Sequence, residues 1–302
     1  MKIYYFLLLF SSPIAGQPWL FYNVENLFDT IHDQNSHDRE FTPSGSKKYG
    51  SLSYRLCIRQ TARAINALEN SSFNAPIIGL CEIEHRSVLE DLIQHRGIRS
   101  FGPWGIVHYD SPDFRGIDCA LLYKTAEISI ITSKRLRFSN DSLNSRDGLW
   151  VKYWKDSTLY NVIVVHLPSK RGGGSQSDWK RDYIWSQLAI HLDSCTQPTL
   201  IMGDFNDGIG SRQSDLFSPN WKTFRATTLK GTYKFQGRWN TIDGALANFE
   251  ISANVCELPL LLEKDKKWGG FKPRRRWQGN FYKNGYSDHL PVYFQQVAGI
   301  RK

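Results

Sequence analysis

Pro198-Thr199-Leu200-Ile201-Met202-Gly203-Asp204-Phe205-Asn206 runs four apolar or β-branched residues into a glycine, then presents a carboxylate and a carboxamide two positions apart. An unbroken apolar run of this length reads as a strand covered on both faces, because a half-exposed strand would alternate with polar residues. Side chains two apart on an extended chain point to the same side, so Asp204 and Asn206 are directed at one spot where the strand ends. Gly203 is expected to let the chain turn there. The pair can hold a hard cation or polarise a phosphoryl oxygen, and neither group is a good nucleophile toward carbon. The same residues also read as an Asx-rich turn, so the rest of the chain has to decide.

Outward from this stretch, other segments have the same character. Residues 19–22 read as a first strand ending at Asn23 and Glu25, and residues 75–81 as a second ending at Glu82. Between them, residues 54–69 place Leu56, Ala62, Ile65 and Leu68 on one helical face, after a polar stretch, 30–53, that reads as a long surface loop. Ser87 is a candidate cap for a helix through Leu89, Leu92 and Ile93. Strands follow at 106–109, 118–123, 128–138, 149–154 and 159–165, the last ending at His166. Residues 176–192 return to helical spacing with Ile184, Leu188 and Leu192, and further strands fall at 241–246, containing Asp243, and 291–294, preceded by Asp288-His289. No fixed-period repeat and no linker divides the chain, so one α+β domain over 17–302, with helices outside its sheets, fits best.

Composition narrows the possibilities. Five scattered cysteines form neither a metal knuckle nor a disulfide framework and read as buried thiols, with a Cys81–Cys119 pair left open. Residues 1–16 carry one lysine, an apolar run from Ile3 to Phe10, then Ser-Ser-Pro-Ile-Ala-Gly, and resemble a short secretory signal cleaved after Gly16; a hydrophobic first strand or core helix is the alternative. The first reading implies a secreted or periplasmic protein. The net charge of +9 attracts polyanions, and residues 264–283 interleave Lys and Arg with Trp268, Phe271, Trp277, Phe281 and Tyr282. Basic groups neutralise phosphates and aromatic faces stack on bases, which makes Trp268, Arg274, Arg275, Arg276 and Trp277 candidate nucleic-acid contacts. A solvated loop over packed aromatics is the plainer alternative.

Taken in order, Phe21-Tyr22-Asn23-Val24-Glu25-Asn26, Leu80-Cys81-Glu82-Ile83-Glu84, His166-Leu167-Pro168-Ser169, Gly203-Asp204-Phe205-Asn206, Ile242-Asp243 and Ser287-Asp288-His289-Leu290-Pro291 resemble the motifs of the endonuclease/exonuclease/phosphatase superfamily. That superfamily includes deoxyribonuclease I, apurinic/apyrimidinic exonucleases, inositol polyphosphate phosphatases and neutral sphingomyelinases. The resemblance spans Phe21 to Pro291 and implies a single-domain, deoxyribonuclease I-like four-layer α/β/β/α sandwich with Mg²⁺ or Mn²⁺ at one edge of the paired sheets. Cys81 stands where glutamine is frequent before the metal glutamate, and the tyrosine that apurinic endonucleases place before the phosphate-binding motif has no secure counterpart.

On this resemblance Glu82 is the main metal ligand, with Asn23, Glu25 and Asp288 as further or water-bridged ligands; Mg²⁺ needs only one or two carboxylates. His289 orients or activates the nucleophile with Asp243 as its carboxylate partner, and His166 is a candidate general acid. Asp204 is the water-activating base or a second-metal ligand, and Asn206 an amide donor to phosphate. Arg115 and Arg171 are candidate phosphate forks. The expected activity is metal-dependent phosphodiester hydrolysis, most directly by a nuclease on DNA or RNA. A phosphomonoesterase or a sphingomyelinase-like enzyme acting on a phospholipid or small phosphate ester is the alternative, and an inactive polyanion-binding module the reading from another class. No obligate protein partner is indicated.

Overall fold

The computed structural model describes residues 16–170, 174–226 and 230–297, so all of the expected leader except Gly16 lies outside the described residues. In chain order β1 (Pro18–Leu27) leads through α1 (Ser51–Glu69) to β2 (Ile77–Ile83), followed by α2 (Arg86–Gln94) and α3 (Arg96–Arg99). β3 (Trp104–His108), β4 (Asp118–Lys124), β5 (Ser129–Leu136), β6 (Gly148–Lys155) and β7 (Thr158–His166) come next. After α4 (Gly174–Leu192) the chain forms β8 (Thr199–Asp204), α5 (Ser211–Ser214), β9 (Lys222–Phe224), β10 (Tyr233–Phe235), β11 (Arg238–Asn240), β12 (Asp243–Ala247) and β13 (Ile251–Val255). Four short hairpin strands, β14 (Leu262–Lys264), β15 (Phe271–Pro273), β16 (Trp277–Gln278) and β17 (Phe281–Tyr282), precede the last, β18 (Val292–Gln296).

Two six-stranded sheets result, one ordered β13-β18-β1-β2-β4-β3 and the other β5-β6-β7-β8-β12-β9. In each, one central pair is parallel, β1 with β2 and β7 with β8, and its neighbours are antiparallel. Parallel neighbours need a long crossover. Here α1 and α4 supply the two crossovers. The centre of each sheet therefore carries two strands that end at the same edge.

Between the sheets lies the larger core, with Leu80, Leu122, Val151, Val162, Val164 and Met202. The buried indole of Trp19 donates to Tyr153 Oη at 2.8 Å and bonds one sheet to the other. A second cluster joins Ile163, Val165 and Ile201 to Ile184, Trp185, Leu188 and Leu192 of α4. The i, i+4 spacing of these helix residues is what lays one face on the sheet. On the opposite sheet α1 contributes Ala62, Ile65 and Leu68, and α2 Val88, Leu89 and Leu92. Helix, sheet, sheet and helix give the expected four-layer α+β sandwich. Each fully buried Leu, Ile or Val side chain adds about 1.5–3 kcal/mol to its stability.

Local details differ from the sequence reading. β8 is buried at every position, as its composition requires, but Gly203 lies inside the strand and does not turn the chain. A Cβ there would sit 2.1 Å from the Val165 carbonyl oxygen, so the glycine is what lets β7 and β8 approach. The turn is made by Asn206, at φ 49°. The α2 N-cap is His85, not Ser87. The stretch 30–53 is not simply a surface loop, since it buries Phe41 and Tyr49. The basic-aromatic segment 264–283 is built from paired strands, β14 with β15 and β16 with β17. Cys81 and Cys119 face each other across β2 and β4 as buried free thiols. No helix among the described residues is long and apolar enough to cross a membrane.

Gly203→Ala is expected to destabilise the protein by about 1–3 kcal/mol, since the backbone oxygen in its way cannot rotate aside. Urea unfolding measures this, and an unchanged midpoint would show that β7 and β8 separate without cost.

Candidate active site

The parallel pairs end at a common edge, and there the chain leaves ideal strand geometry. Pairing of β1 with β2 shifts register between Asn23 and Leu27, and pairing of β2 with β4 shifts between Cys81 and Ile83. Within these irregularities Glu25, Asn26 and Glu82 have φ of 48°, 56° and 64°, in the left-handed region that side-chain-bearing residues seldom occupy. With Asn206, four residues at this edge share that conformation. Such backbone strain persists only where its surroundings enforce it.

From one sheet come Asn23 and Glu82. Asn23 Nδ2 donates to Glu82 Oε1 at 3.3 Å and, across the gap between sheets, to Asp204 Oδ2 at 3.1 Å. Asn26 N–H donates to Glu82 Oε2 at 2.9 Å. From the other sheet His166, Asp204 and Asp243 arrive by register alone: Asp204 lies opposite His166 on β7 and opposite Asp243 on β12. His166 Nε2 is 3.6 Å from Asp204 Oδ2 and 4.0 Å from Glu82 Oε1. His289 enters from the turn before β18. Its Nδ1 is 2.8 Å from Asp243 Oδ2 and its Nε2 is 3.8 Å from Asp204 Oδ2. Ser287 holds this turn by donating its hydroxyl to the Asn23 carbonyl at 2.7 Å while accepting the His289 N–H. Asn206 donates Nδ2–H to the Leu167 carbonyl at 2.9 Å, and its backbone N–H goes to Asp204 Oδ1.

A cleft of about 970 Å³ opens over this centre, lined by cationic and aromatic residues. Arg115 donates to Asn26 Oδ1 and stands 3.9 Å from Glu82 Oε2. Arg146 also reaches the cleft, fixed by Asp113 at 3.0 Å and the His166 carbonyl at 3.3 Å. Neither Arg146 nor Asn26 was anticipated from sequence. Arg146 sits in a polar turn with no motif around it, whereas Asn26 follows the recognised Asn-Val-Glu and was within reach of that motif. Arg171 lies outside the described residues.

Several expected ligands have other partners. Both carboxylate oxygens of Glu25 accept backbone N–H groups, of Arg276 and Trp277, and Asn23 Oδ1 accepts the Glu25 N–H. Asp288 Oδ2 pairs with Arg275 at 3.2 Å. Among the expected nucleic-acid contacts, Arg275 lines the cleft and Trp268 is exposed, while Arg274 stacks over Tyr286. Arg276 is a correction. It is completely buried, donating to Thr61 Oγ1 and the Tyr286 carbonyl, and has no access to a ligand. Trp277 is mostly buried too, packed edge-on to Phe41 and beside Tyr49, with an edge at the cleft.

Charge is distributed unevenly among these groups. Burial opposes a positive His289, but Asp243 and Asp204 outweigh it and hold the imidazole well above its ordinary range, so it is cationic at neutral pH. His166 is driven the other way, by burial and then by Arg146, Arg115 and His289, and is neutral. Burial also opposes the charge on Glu82, yet Arg115, His289 and Arg146 keep it ionised. Asp204 is pushed up to about 7 by burial and then by Asp243.

This donor set fits a small hard cation. Glu82 Oε1 and Asp204 Oδ2 share only the Asn23 amide at hydrogen-bond distance, so each retains acceptor capacity facing the other. Asp204, Asp243 and His289 also have donor atoms within 4.8 Å of one another. Oxygen donors with unfilled capacity are what Mg²⁺ or Mn²⁺ takes, and Glu82 and Asp204 are the residues placed to hold it.

A double-sheet sandwich that gathers carboxylates, histidines and arginines at one edge defines the phosphoesterase class. The chain belongs to the endonuclease/exonuclease/phosphatase family, whose model matches residues 19–297. Solved structures similar to it include an endonuclease/exonuclease/phosphatase family protein from Bacteroides thetaiotaomicron, at 15% identity and TM-score 0.59 over 95% of this chain and 99% of that one. A mannosyl-6-phosphatase from the same species also gives 15% identity and TM-score 0.59, over 93% and 99% of the two chains. Truncated TDP2 from Caenorhabditis elegans gives 13% and 0.59, over 93% and 98%. No curated protein matches the chain. At these identities the likeness is one of fold.

A proton on Asp204 competes with a cation. Mg²⁺ affinity is therefore expected to weaken about tenfold per unit as pH falls below 7 and to level off above it. Calorimetric titration between pH 5.5 and 8.5 measures this, and Asp204→Asn should flatten the profile.

Proposed function

We propose that this chain is an exported, divalent-metal-dependent phosphodiesterase acting on nucleic acid. What supports the reading is the wall of the cleft: Lys47, Arg115, Arg146, Lys170, Arg225 and Arg275 alternate with Tyr233, Phe235, Trp239 and Trp277 around the carboxylate-histidine centre. Cations neutralise a phosphodiester backbone, and flat rings accept bases. Export rests on the leader-like residues 1–16.

The residues divide the work of hydrolysis. Glu82 and Asp204 would hold Mg²⁺ or Mn²⁺, which would supply positive charge against the phosphoryl group. Asp204, which would share in holding that cation, accepts a hydrogen bond from the attacking water, whose proton is released to solvent. Cationic His289, oriented by Asp243, aims Nε2–H at the same space and stabilises negative charge as the bond from water oxygen to phosphorus forms and the ester bond breaks. Asn206 and Arg115 add N–H donors to the phosphoryl oxygens, and His166 Nε2 stands 4.0 Å from Glu82 Oε1 and 3.6 Å from Asp204 Oδ2.

One observation favours a second reading. Trp268, Phe271 and Phe281 are exposed on the hairpins, with Lys267 over the Trp268 ring and Lys230 over Phe271. Aromatic tips with lysines also suit a membrane interface, and hence a phospholipid headgroup diester.

The test is a panel of duplex DNA, single-stranded DNA, RNA, a phosphomonoester and sphingomyelin vesicles, with Mg²⁺ or Mn²⁺ and with chelator. Metal-dependent cleavage of nucleic acid, weakening steeply with salt, is expected. His289→Ala and Glu82→Ala should each lower kcat about 10²–10⁴-fold with the circular dichroism spectrum retained. Turnover confined to sphingomyelin supports the second reading, turnover confined to the monoester rejects both, and wild-type rates in both variants exclude this centre as the site.

A further inference from the structure

Asp243 stands at the first position of β12, where the ladder that should hold its backbone is incomplete. Phe205 N–H donates to the Ile242 carbonyl at 2.8 Å, which makes Phe205 and Ile242 a hydrogen-bonded pair in the ladder of β8 with β12. The next pair, Asp204 with Asp243, is therefore of the non-hydrogen-bonded kind, and the N–H of Asp243 points away from β8. On that side β9 pairs only with Ala245, Leu246 and Ala247 and does not reach it. A buried N–H left without a partner is destabilising, so something else has to take it.

Thr232, just ahead of β10, closes this gap. It is completely buried, and its Oγ1 accepts the N–H of Asp243 at 3.3 Å and that of Ile242 at 3.2 Å, while the hydroxyl donates to the Asn240 carbonyl at 3.5 Å. Accepting and donating at one atom is what a hydroxyl can do and an apolar side chain of the same size cannot. The main chain of Thr232 adds two bonds, its N–H going to the Asn240 carbonyl at 2.9 Å and its carbonyl accepting the Leu290 N–H at 2.8 Å. Leu290 follows His289. Tyr233, next along, pairs with His289 in an isolated bridge and sets its ring 5.0 Å from the imidazole.

We infer that Thr232 is a positioning residue for the Asp243–His289 pair: its hydroxyl fixes the start of β12 and its carbonyl the turn before β18, so that carboxylate and imidazole meet at Nδ1. The inference rests on the reading of this centre as hydrolytic. Ser287 pins one end of the histidine turn to β1, and Thr232 ties the other end to the strand of its carboxylate partner. Thr232 does not line the cleft, so it acts on a substrate only through these two residues.

The test compares Thr232→Val, which keeps the shape and removes the hydroxyl, with Thr232→Ser, which keeps the hydroxyl and removes a methyl group. Two readouts are taken on the whole chain. One is the downfield proton resonance of His289 Nδ1–H in metal-free protein carrying isotope-labelled histidine, assigned by its absence in His289→Ala. The other is turnover of bis(p-nitrophenyl) phosphate, a chromogenic phosphodiester, with Mn²⁺. Thr232→Val is expected to shift or abolish the resonance and to lower kcat about tenfold or more, with KM within about twofold of wild type. Thr232→Ser should keep the resonance in place and kcat within about threefold. Ile184→Val, which thins the core beneath α4, lowers stability away from this turn and should move neither readout. Wild-type resonance and kcat in Thr232→Val would overturn the inference. So would Thr232→Ser or Ile184→Val losing as much as Thr232→Val, since the effect would then be one of packing. If wild type leaves the diester intact, the hydrolytic reading fails, and the resonance alone decides whether Thr232 positions the pair.

Discussion

One amide group sets the scale of the whole edge. Asn23 Nδ2 reaches Glu82 within its own sheet and Asp204 on the other, so the distance between the sheets at this edge is the distance at which two carboxylates converge on one donor. Everything that governs the approach of the sheets bears on that geometry. Gly79 on β2 faces Val164 and Met202, where a Cβ would come within 2.6 Å of Met202 Cε, and Gly203 permits the close approach of β7 and β8. The core is thus the mechanical support of the site.

The same constraint explains the uneven charges. Asp204, removed from water beside Asp243, gains proton affinity, and the histidine set against these two carboxylates becomes a cation. His166, a few ångströms away but turned toward arginines as well, stays neutral. Two histidines of one centre are held in opposite states by their neighbours. Strand register produces this, since His166, Asp204 and Asp243 are consecutive across β7, β8 and β12.

Much of this was legible in the sequence because strand ends are. The apolar run before Gly203 fixed a doubly covered strand, and helical spacing in 176–192 marked its crossover partner, α4. Less legible was whatever depends on tertiary context. Left-handed backbone at Glu25, Asn26, Glu82 and Asn206 is imposed by strand irregularities that no local propensity announces. Arg146 is selected by Asp113, thirty-three positions away. The segment 264–283 misled in a more instructive way, because composition alone treated its arginines as equivalent. In the bend between β15 and β16, Arg275 lines the cleft while adjacent Arg276 is buried against Thr61 and the Tyr286 carbonyl.

Buried Arg276 bears on how this cleft can change. Its guanidinium ties the start of the β16–β17 hairpin to α1 and to the Tyr286 carbonyl, and Glu25 accepts the backbone N–H groups of Arg276 and Trp277. The base of the hairpin is thus anchored to strand β1, while its tip, with Phe281 three-quarters exposed, is met by Lys47, which donates to the Gly279 carbonyl at 3.1 Å. A wall ordered during folding need not be ordered again when a ligand arrives, so less free energy opposes association. Base and tip are also separable in evolution: residues at the tip can be exchanged, and substrate preference redirected, without moving an atom of the hydrolytic centre.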